Sequence, residues 1–205
     1  MKVRTAGCLA AVALTGVPAV GLVCLTAVVS GALAGRPPWP GGPALQVAAG
    51  PVPPEYRPLL TASARRYGVR WPVLAGIYKV ECDFGRSREP GCNPPGTENA
   101  AGAQGPGQFL PPTWRRGLGP HQLIPPGPPT ADIAEGYAAD GDGDGIADPW
   151  STADAVAGTA RLLAANGGTD AGTVAGAIFA YNHDPAYVQQ VLAYAAAYAG
   201  QEAPS

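Results

Sequence analysis

The sequence has few charged residues and no excess of either sign. Of its 205 residues, 13 are basic and 15 acidic, which gives a net charge of −2 at pH 7. A chain without a basic excess lacks the long-range attraction that draws proteins to nucleic acid, and no acidic run indicates a solvating tail. We therefore predict that nucleic acid is not a partner.

Charge is absent from a 29-residue run, Ala6 to Ala34, that follows the basic start "MKVR". The run is long enough to span a bilayer, and its end, "ALAG", fits a small-x-small signal-peptidase site. Residues 1–35 are thus predicted to be either a cleaved signal peptide or a retained membrane anchor. Either way the remainder is exported, and we expect it to be secreted or to touch the membrane only through this segment.

Cysteine is scarce too, with only Cys82 and Cys92 in the exported part. Two cysteines ten positions apart outside the reducing cytoplasm predict a disulfide. The alternative is a pair of free thiols.

Glycine and proline, in contrast, are abundant, with 29 and 24 residues. Residues 36–53 are proline-rich and without period, which predicts a linker, and residues 201–205 form a short tail. Between them, residues 54–200 show apolar stripes at helical spacing and no sustained alternation. We predict a mainly α domain with long loops, and we expect it to be a monomer. The predicted helices cover 55–68, 71–81, 113–116, 151–168, 169–182 and 184–200.

Glu81 is a carboxylate on an apolar helix face that it shares with Leu74, Ile77 and Tyr78. Burial and the negative end of the helix dipole both favour its neutral form, and Lys79 should point elsewhere. A carboxylic acid that is protonated near neutral pH suits general-acid cleavage of a glycosidic bond. The alternative is a surface residue at a frayed helix end. No second acid has a matching context, so one carboxylate would act as acid and then as base.

The stretch "DGDGDGIADPWSTAD" from Asp140 to Asp154 has the acid spacing of a calcium loop. The candidate Ca²⁺ ligands are Asp140, Asp142, Asp144 and the carbonyl of Ile146. The twelfth position is Ser151 in place of the usual Glu, so Asp148 or Asp154 would have to close the site. The alternative is an Asp-Gly turn that binds nothing.

Four elements in this order resemble the lytic transglycosylases of the membrane-bound lytic transglycosylase B type. They are "VECDFGRS", "AAGAQGPGQFLPPTW", "DGDGDGIADPWSTADAVAGTARLLAANGG" and "AIFAYNHDPAYVQQVLAYAAAY". The resemblance covers residues 54–200 and implies a lysozyme-like helical fold that acts on peptidoglycan strands. It implies cleavage of the β-1,4 bond between N-acetylmuramic acid and N-acetylglucosamine, with a 1,6-anhydromuramoyl product.

The resemblance also assigns roles to residues. The family's single catalytic glutamate falls on Glu81, and its substrate-positioning groups fall on Gln108, Tyr181, Asn182 and Tyr187. A helix-borne acid closes the family's calcium loop, which favours Asp154 over Asp148. Two alternatives remain: a goose-type-lysozyme-like muramidase that hydrolyses the same bond, and a non-catalytic, calcium-stapled wall-binding module.

Overall fold

The computed structural model describes residues 45–129 and 135–201. The mainly α prediction is confirmed, since six α-helices account for most of the regular structure in these residues. They are α1 (Tyr56–Tyr67), α2 (Trp71–Cys82), α3 (Pro111–Trp114), α4 (Thr152–Ala165), α5 (Val174–Tyr181) and α6 (Pro185–Ala199). Backbone pairing outside the helices is limited here to two isolated bridges, Gln104 with Phe109 and Gly127 with Ala147.

Helix α2 lies at the centre of the fold, with residues 73 to 78 all buried. It packs most extensively against α6, and the two backbones approach closely at Gly76. A Cβ atom there would lie 2.6 Å from the carbonyl oxygen of Val191, so only glycine fits. The apolar stripe predicted around Glu81 thus belongs to a helix that is buried on more than one side.

The predicted stripes of the other helices face the same core. Leu60 and Ala64 of α1, Val156 and Leu163 of α4, Ile178 of α5 and Val191 of α6 are buried together. Burial of each large aliphatic side chain stabilises the fold by roughly 2 kcal/mol relative to exposure. A smaller second core lies beneath the loops and contains Phe109, Trp114, Ile124, Ala138, Ala147 and Leu162.

Local sequence signals set most of the helix ends. Gly68 ends α1 in the left-handed conformation, with φ of 72°. Ser151 and Asp184 cap α4 and α6, because their side chains accept hydrogen bonds from the backbone N–H groups of Asp154 and Ala186. Helix α5 begins later than predicted, at Val174, because residues 169–173 form turns closed in part by the bond from Gly172 N to Asp170 Oδ1.

The predicted export segment, residues 1–35, lies outside the described residues, as do most of the linker and most of the tail. The chain divides after Gly35 into two units, and the second unit contains every described residue. None of the helices in the described part of the chain is long and apolar enough to cross a membrane.

Candidate active site

Glu81 lies in the last turn of α2, where its side chain is partly buried. Burial raises the pKa of Glu81 from the ordinary 4.5 to about 7. Lys79, two residues earlier, points away and binds Asp83 Oδ1 through Nζ at 2.5 Å. Glu81 therefore has no cation of its own helix to hold it ionised, and a large fraction stays protonated near neutral pH.

Tyr187 is the polar partner of Glu81. Its hydroxyl donates a hydrogen bond to Glu81 Oε1 at 2.6 Å, although 106 residues separate the two in sequence. This bond favours the carboxylate and so lowers the pKa, but burial outweighs it. Because burial also raises the pKa of Tyr187 well above its usual range, the phenol remains a donor. With Oε1 accepting this bond, Oε2 is the oxygen left available to carry a proton.

Tyr181 lies beside Tyr187, because only a short turn separates the end of α5 from the start of α6. The two rings are parallel within 4°, with centroids 6.5 Å apart. The hydroxyl of Tyr181 donates to the carbonyl oxygen of Gly107 in the glycine-rich loop. It thus links α5 to this loop, which consists of residues 102–108.

Thr159 of α4 connects two tyrosines inside the protein. Its Oγ1 lies 3.2 Å from the hydroxyl of Tyr78 and 3.3 Å from that of Tyr181. Thr159 is fully buried, and so is the Tyr78 side chain. The network ties α2, α4 and α5 to the glycine-rich loop near the partly buried Glu81.

Gln108 occupies the turn that closes the glycine-rich loop, with a left-handed φ of 48°. Its Nε2 donates to the Gly105 carbonyl at 2.9 Å, and its Oε1 accepts from Asn99 Nδ2 at 2.9 Å. A side-chain amide has two donors and two acceptor lone pairs, so one of each remains for another partner. Gln108 therefore shapes the loop in addition to any contact with substrate.

Asn182 caps the C-terminal end of α5 and is exposed. Its backbone N–H bonds to the Ile178 carbonyl at 3.1 Å, and its side chain makes no hydrogen bond to other described residues. Of the predicted substrate-positioning residues, the structure brings Tyr187 into contact with Glu81, and Tyr181 into contact with both Tyr187 and the glycine-rich loop.

Asp83 is the acid nearest to Glu81 in sequence, and it has a different environment. Hydrogen bonds from Arg86 and Lys79, together with their charges, lower its pKa. It lies beyond the helix end with φ of 48°. Burial and the Tyr187 bond are the influences on the Glu81 pKa, and the charge of Asp83 is not among them.

The predicted disulfide is present between Cys82 and Cys92, with Cα atoms 5.6 Å apart. Cys82 is the last residue of α2, so the cross-link begins where the helix ends. Glu81 itself is held by α2, and the disulfide holds the loop behind it.

The Asp-Gly loop brings together carboxylate oxygens of Asp140, Asp142 and Asp154, all within 4.8 Å of one another. Asp154 is almost fully buried, and burial is the main cause that raises its pKa, with a further contribution from the two neighbouring acids. Asp144 lies outside this group and accepts a bond from the N–H of Ile146, which is an exposed residue. Arg66, which donates to the Asp140 carbonyl, offsets part of the negative charge, and three hard oxygen ligands of like charge fit a Ca²⁺ ion.

Asp154, not Asp148, is the helix-borne acid in this group. Its two oxygens accept from the N–H groups of Gly141 at 2.7 Å and Asp148 at 2.8 Å. The carboxylate thus ties both ends of the loop to the first turn of α4. Gly141 packs so tightly there that a Cβ would lie 2.1 Å from the carbonyl oxygen of Ala153.

Two buried residues near the site were not predicted from the sequence. Thr159 lies on the apolar face of the predicted helix between Val156 and Leu163, where a hydroxyl needs a partner. Gln104 is 1% exposed, and its side chain bonds to backbone groups of Gln122 and Ile124 across the loops. A polar residue among apolar neighbours was the available signal in both cases.

These features define a mainly α-helical protein with a half-buried carboxylic acid whose Oε1 accepts a hydrogen bond from a tyrosine hydroxyl. Comparisons of the chain with protein-family models, curated proteins and solved structures find no match.

Proposed function

We propose that this protein is an exported peptidoglycan lytic transglycosylase. The observation that carries the proposal is Glu81, a lone carboxylic acid whose pKa burial raises to about 7 and whose Oε1 is hydrogen-bonded by Tyr187. The sequence resemblance to this enzyme class falls on the same residues. A lone acid suits a reaction in which the substrate supplies its own nucleophile.

The reaction begins with Glu81 as a general acid. The proton on Oε2 passes to the glycosidic oxygen as the bond from that oxygen to C1 of N-acetylmuramic acid breaks. The leaving N-acetylglucosamine gains a free 4-hydroxyl group. Glu81 is then a carboxylate, which the Tyr187 bond stabilises.

The second half of the reaction uses the Glu81 carboxylate as a base. The 6-hydroxyl of the muramoyl residue attacks C1, and its proton returns to Glu81. The new bond from O6 to C1 closes the 1,6-anhydro ring, so water is neither consumed nor released and the enzyme returns to its starting state. The exposed Asn182 and the remaining donor and acceptor of Gln108 are available to position the sugars.

The test is product analysis on purified peptidoglycan with Glu81→Gln beside the wild type. We expect the wild type to release anhydromuramoyl ends, which mass spectrometry identifies because they are one water lighter than hydrolysed ends. Glu81→Gln should lower turnover by at least about 100-fold, the lower end of what general acid–base catalysis contributes. The matched control is Glu89→Gln, the same chemical change at an exposed position.

Retained turnover in a folded Glu81→Gln variant would contradict the assignment of the acid. Hydrolysed reducing ends alone would replace the proposal with the muramidase alternative. Binding to sacculi without any soluble product, in both wild type and variant, would indicate a wall-binding module.

We further propose that Asp140, Asp142 and Asp154 hold a structural Ca²⁺ ion. The ion would balance the like charges of the group and reinforce the connection of the loop to α4. Catalysis by Glu81 does not require it.

A further inference from the structure

We propose that an arginine-lined surface at the far end of α2 from Glu81 binds the headgroups of an anionic phospholipid bilayer. The surface consists of two grooves, of about 680 and 600 Å³, on either side of a ridge on α1. Arg57, Thr61 and Arg65 line both grooves. They follow one another at four-residue intervals, so they share one face of the helix.

The larger groove adds a third arginine and an aromatic ring. Arg70 and Trp71, at the start of α2, line it together with the end of α6. The guanidinium of Arg57 lies over the Trp71 ring, 4.7 Å from its centroid, and donates to the Gln201 carbonyl. An amphipathic ring beside basic groups is typical of protein surfaces at the headgroup level of a membrane.

Among the described residues, no carboxylate forms an ion pair with the arginines of this surface. Neither groove is lined by an acidic residue. Within residues 45–129 and 135–201, the carboxylates that form ion pairs do so with Lys79, Arg86 and His121, not with the groove arginines. In a chain of net charge −2, three arginines without ion pairs on one surface leave a local positive field that an anionic partner can neutralise.

The position of the surface along the chain favours a bilayer over a soluble polyanion. Val52 and Pro54, where the chain enters the domain, line the smaller groove. Only 17 residues separate Val52 from the end of the uncharged run at Ala34. Fully extended, they span at most about 60 Å, so a membrane that held the run would keep the arginines at high effective concentration near its surface.

The orientation that results is compatible with the proposed chemistry but does not depend on it. Arg70 precedes α2 and Glu81 lies in its last turn, roughly 17 Å further along the axis at 1.5 Å per residue. Docking through the arginines would therefore leave the acid at the end of α2 away from the lipid. Docking through the arginines would add a second membrane contact to the one expected from the N-terminal segment.

Arginine-specific footprinting of the full chain tests the proposal. The protein is reconstituted into vesicles of phosphatidylcholine alone or of equal parts phosphatidylcholine and phosphatidylglycerol, treated with phenylglyoxal and mapped by mass spectrometry. Three basic side chains at an anionic surface should together favour docking on the order of 100-fold, so modification of Arg65 and Arg70 should slow at least about tenfold in the anionic vesicles. Arg88 and Arg116, exposed elsewhere, are internal controls and should react equally in both.

A pair of variants then measures how much the groove arginines contribute to docking. Arg65→Gln/Arg70→Gln should weaken docking, read from the protection of Arg57, by about 25-fold, or fivefold for each arginine. The matched control is Arg88→Gln/Arg116→Gln, which makes the same change in net charge and should dock as the wild type does. All four positions are exposed, so both variants should fold.

Three results would overturn the proposal. One is equal modification of Arg65 and Arg70 in both vesicle types. Another is protection of Arg88 and Arg116 to the same extent, which shows unspecific adhesion. The third is equal or better protection of the groove by soluble polyphosphate at the same phosphate concentration, which assigns it to a polyanion. None of these readouts depends on turnover at Glu81.

Discussion

At the scale of single residues, the candidate site depends on two opposing influences on one carboxyl group. Burial raises the pKa of Glu81, and the hydrogen bond from Tyr187 lowers it. Burial is the larger influence, so the pKa of about 7 leaves the acid roughly half protonated at neutral pH. One group can then donate a proton and take one back without a large cost in either step.

Replacement of Tyr187 by phenylalanine tests this balance. Tyr187→Phe keeps the ring beside Tyr181 but removes the bond that stabilises the carboxylate, so the pKa of Glu81 should rise. A general acid is active below its pKa and loses activity as the pH increases through it. The alkaline limb of the kcat/KM profile should therefore move up by about 1 to 2 pH units, the equivalent of a hydrogen bond to a charged group.

The control for this change is Tyr194→Phe on the same helix. Tyr194 stacks on Tyr198, and its hydroxyl makes no hydrogen bond to other described residues. The pH profile of kcat/KM in Tyr194→Phe should therefore match that of the wild type. An alkaline limb that stays in place, or moves down, in Tyr187→Phe would contradict the role given to the bond.

At this scale the sequence predicted the environment of Glu81 but not the hydrogen bonds around it. The helical period placed Glu81 on an apolar face and indicated a raised pKa, because both inferences need only residues within two turns. The bond from Tyr187 joins positions 106 residues apart, and Thr159 meets Tyr78 across 81 residues. Such contacts depend on how the helices pack, which a local pattern does not specify.

At the scale of elements, the Asp-Gly loop and the first turn of α4 act as one unit. Both oxygens of Asp154 are bonded to loop N–H groups, and Ser151 bonds to Asp142 Oδ2 at 3.2 Å. A loop without the usual twelfth-position glutamate needs a substitute, which the sequence left open between Asp148 and Asp154, and the family resemblance favoured the helix-borne Asp154. The separation of Asp144 from the other three acids was not predicted, because it follows from how the turn folds.

Calcium should stabilise this unit. Addition of Ca²⁺ at 100 times its dissociation constant to chelator-treated protein should raise the free energy of unfolding by about 2.7 kcal/mol. For a domain of this size the Tm should rise by about 5 to 10 °C, which differential scanning calorimetry measures.

Asp142→Asn should abolish most of the calcium-dependent rise, because it removes one charge from the acidic group at an exposed position. The control is Asp170→Asn, where asparagine can still accept the bond from the N–H of Gly172 and the calcium response should persist. A Tm that is unaffected by millimolar calcium would indicate an Asp-Gly turn without a metal.

At the scale of the whole molecule, helix boundaries were well predicted and loop structure was not. Caps such as Ser151 and Asp184 and stops such as Gly68 are local signals, so the helix ends that they mark agree with the prediction within a few residues. The long segment between α2 and α4 was predicted as turns with one short helix over 113–116, and that helix forms two residues earlier, at Pro111–Trp114. The segment's own small core around Trp114 and Phe109 forms from residues that show no period in sequence.

The disulfide should stabilise the molecule without changing the pKa of Glu81. Closure of the loop between Cys82 and Cys92, ten positions apart, should contribute about 3 kcal/mol through the entropy of the unfolded chain. Cys82→Ser/Cys92→Ser should lose this amount in urea unfolding. The pKa of Glu81, read from the pH profile of kcat/KM, should stay in place because α2 positions the residue.

The control for this measurement is the wild type under reducing conditions, which should unfold at the same urea concentration as the double variant. A thiol titration of the denatured, unreduced wild type should find no free thiol at either position. A shifted pH profile in the double variant would show that the cross-link does hold Glu81 in place.

The contact between the glycine-rich loop and the Asp-Gly loop has a consequence for sequence variation among relatives of this chain. Gly105 lies so close to Pro149 that a Cβ would come within 2.1 Å of the proline carbonyl oxygen. A relative with any side chain at position 105 must also carry a different backbone path near 149. Insertions, deletions and substitutions at these two places should therefore covary, although 43 positions lie between them in the chain.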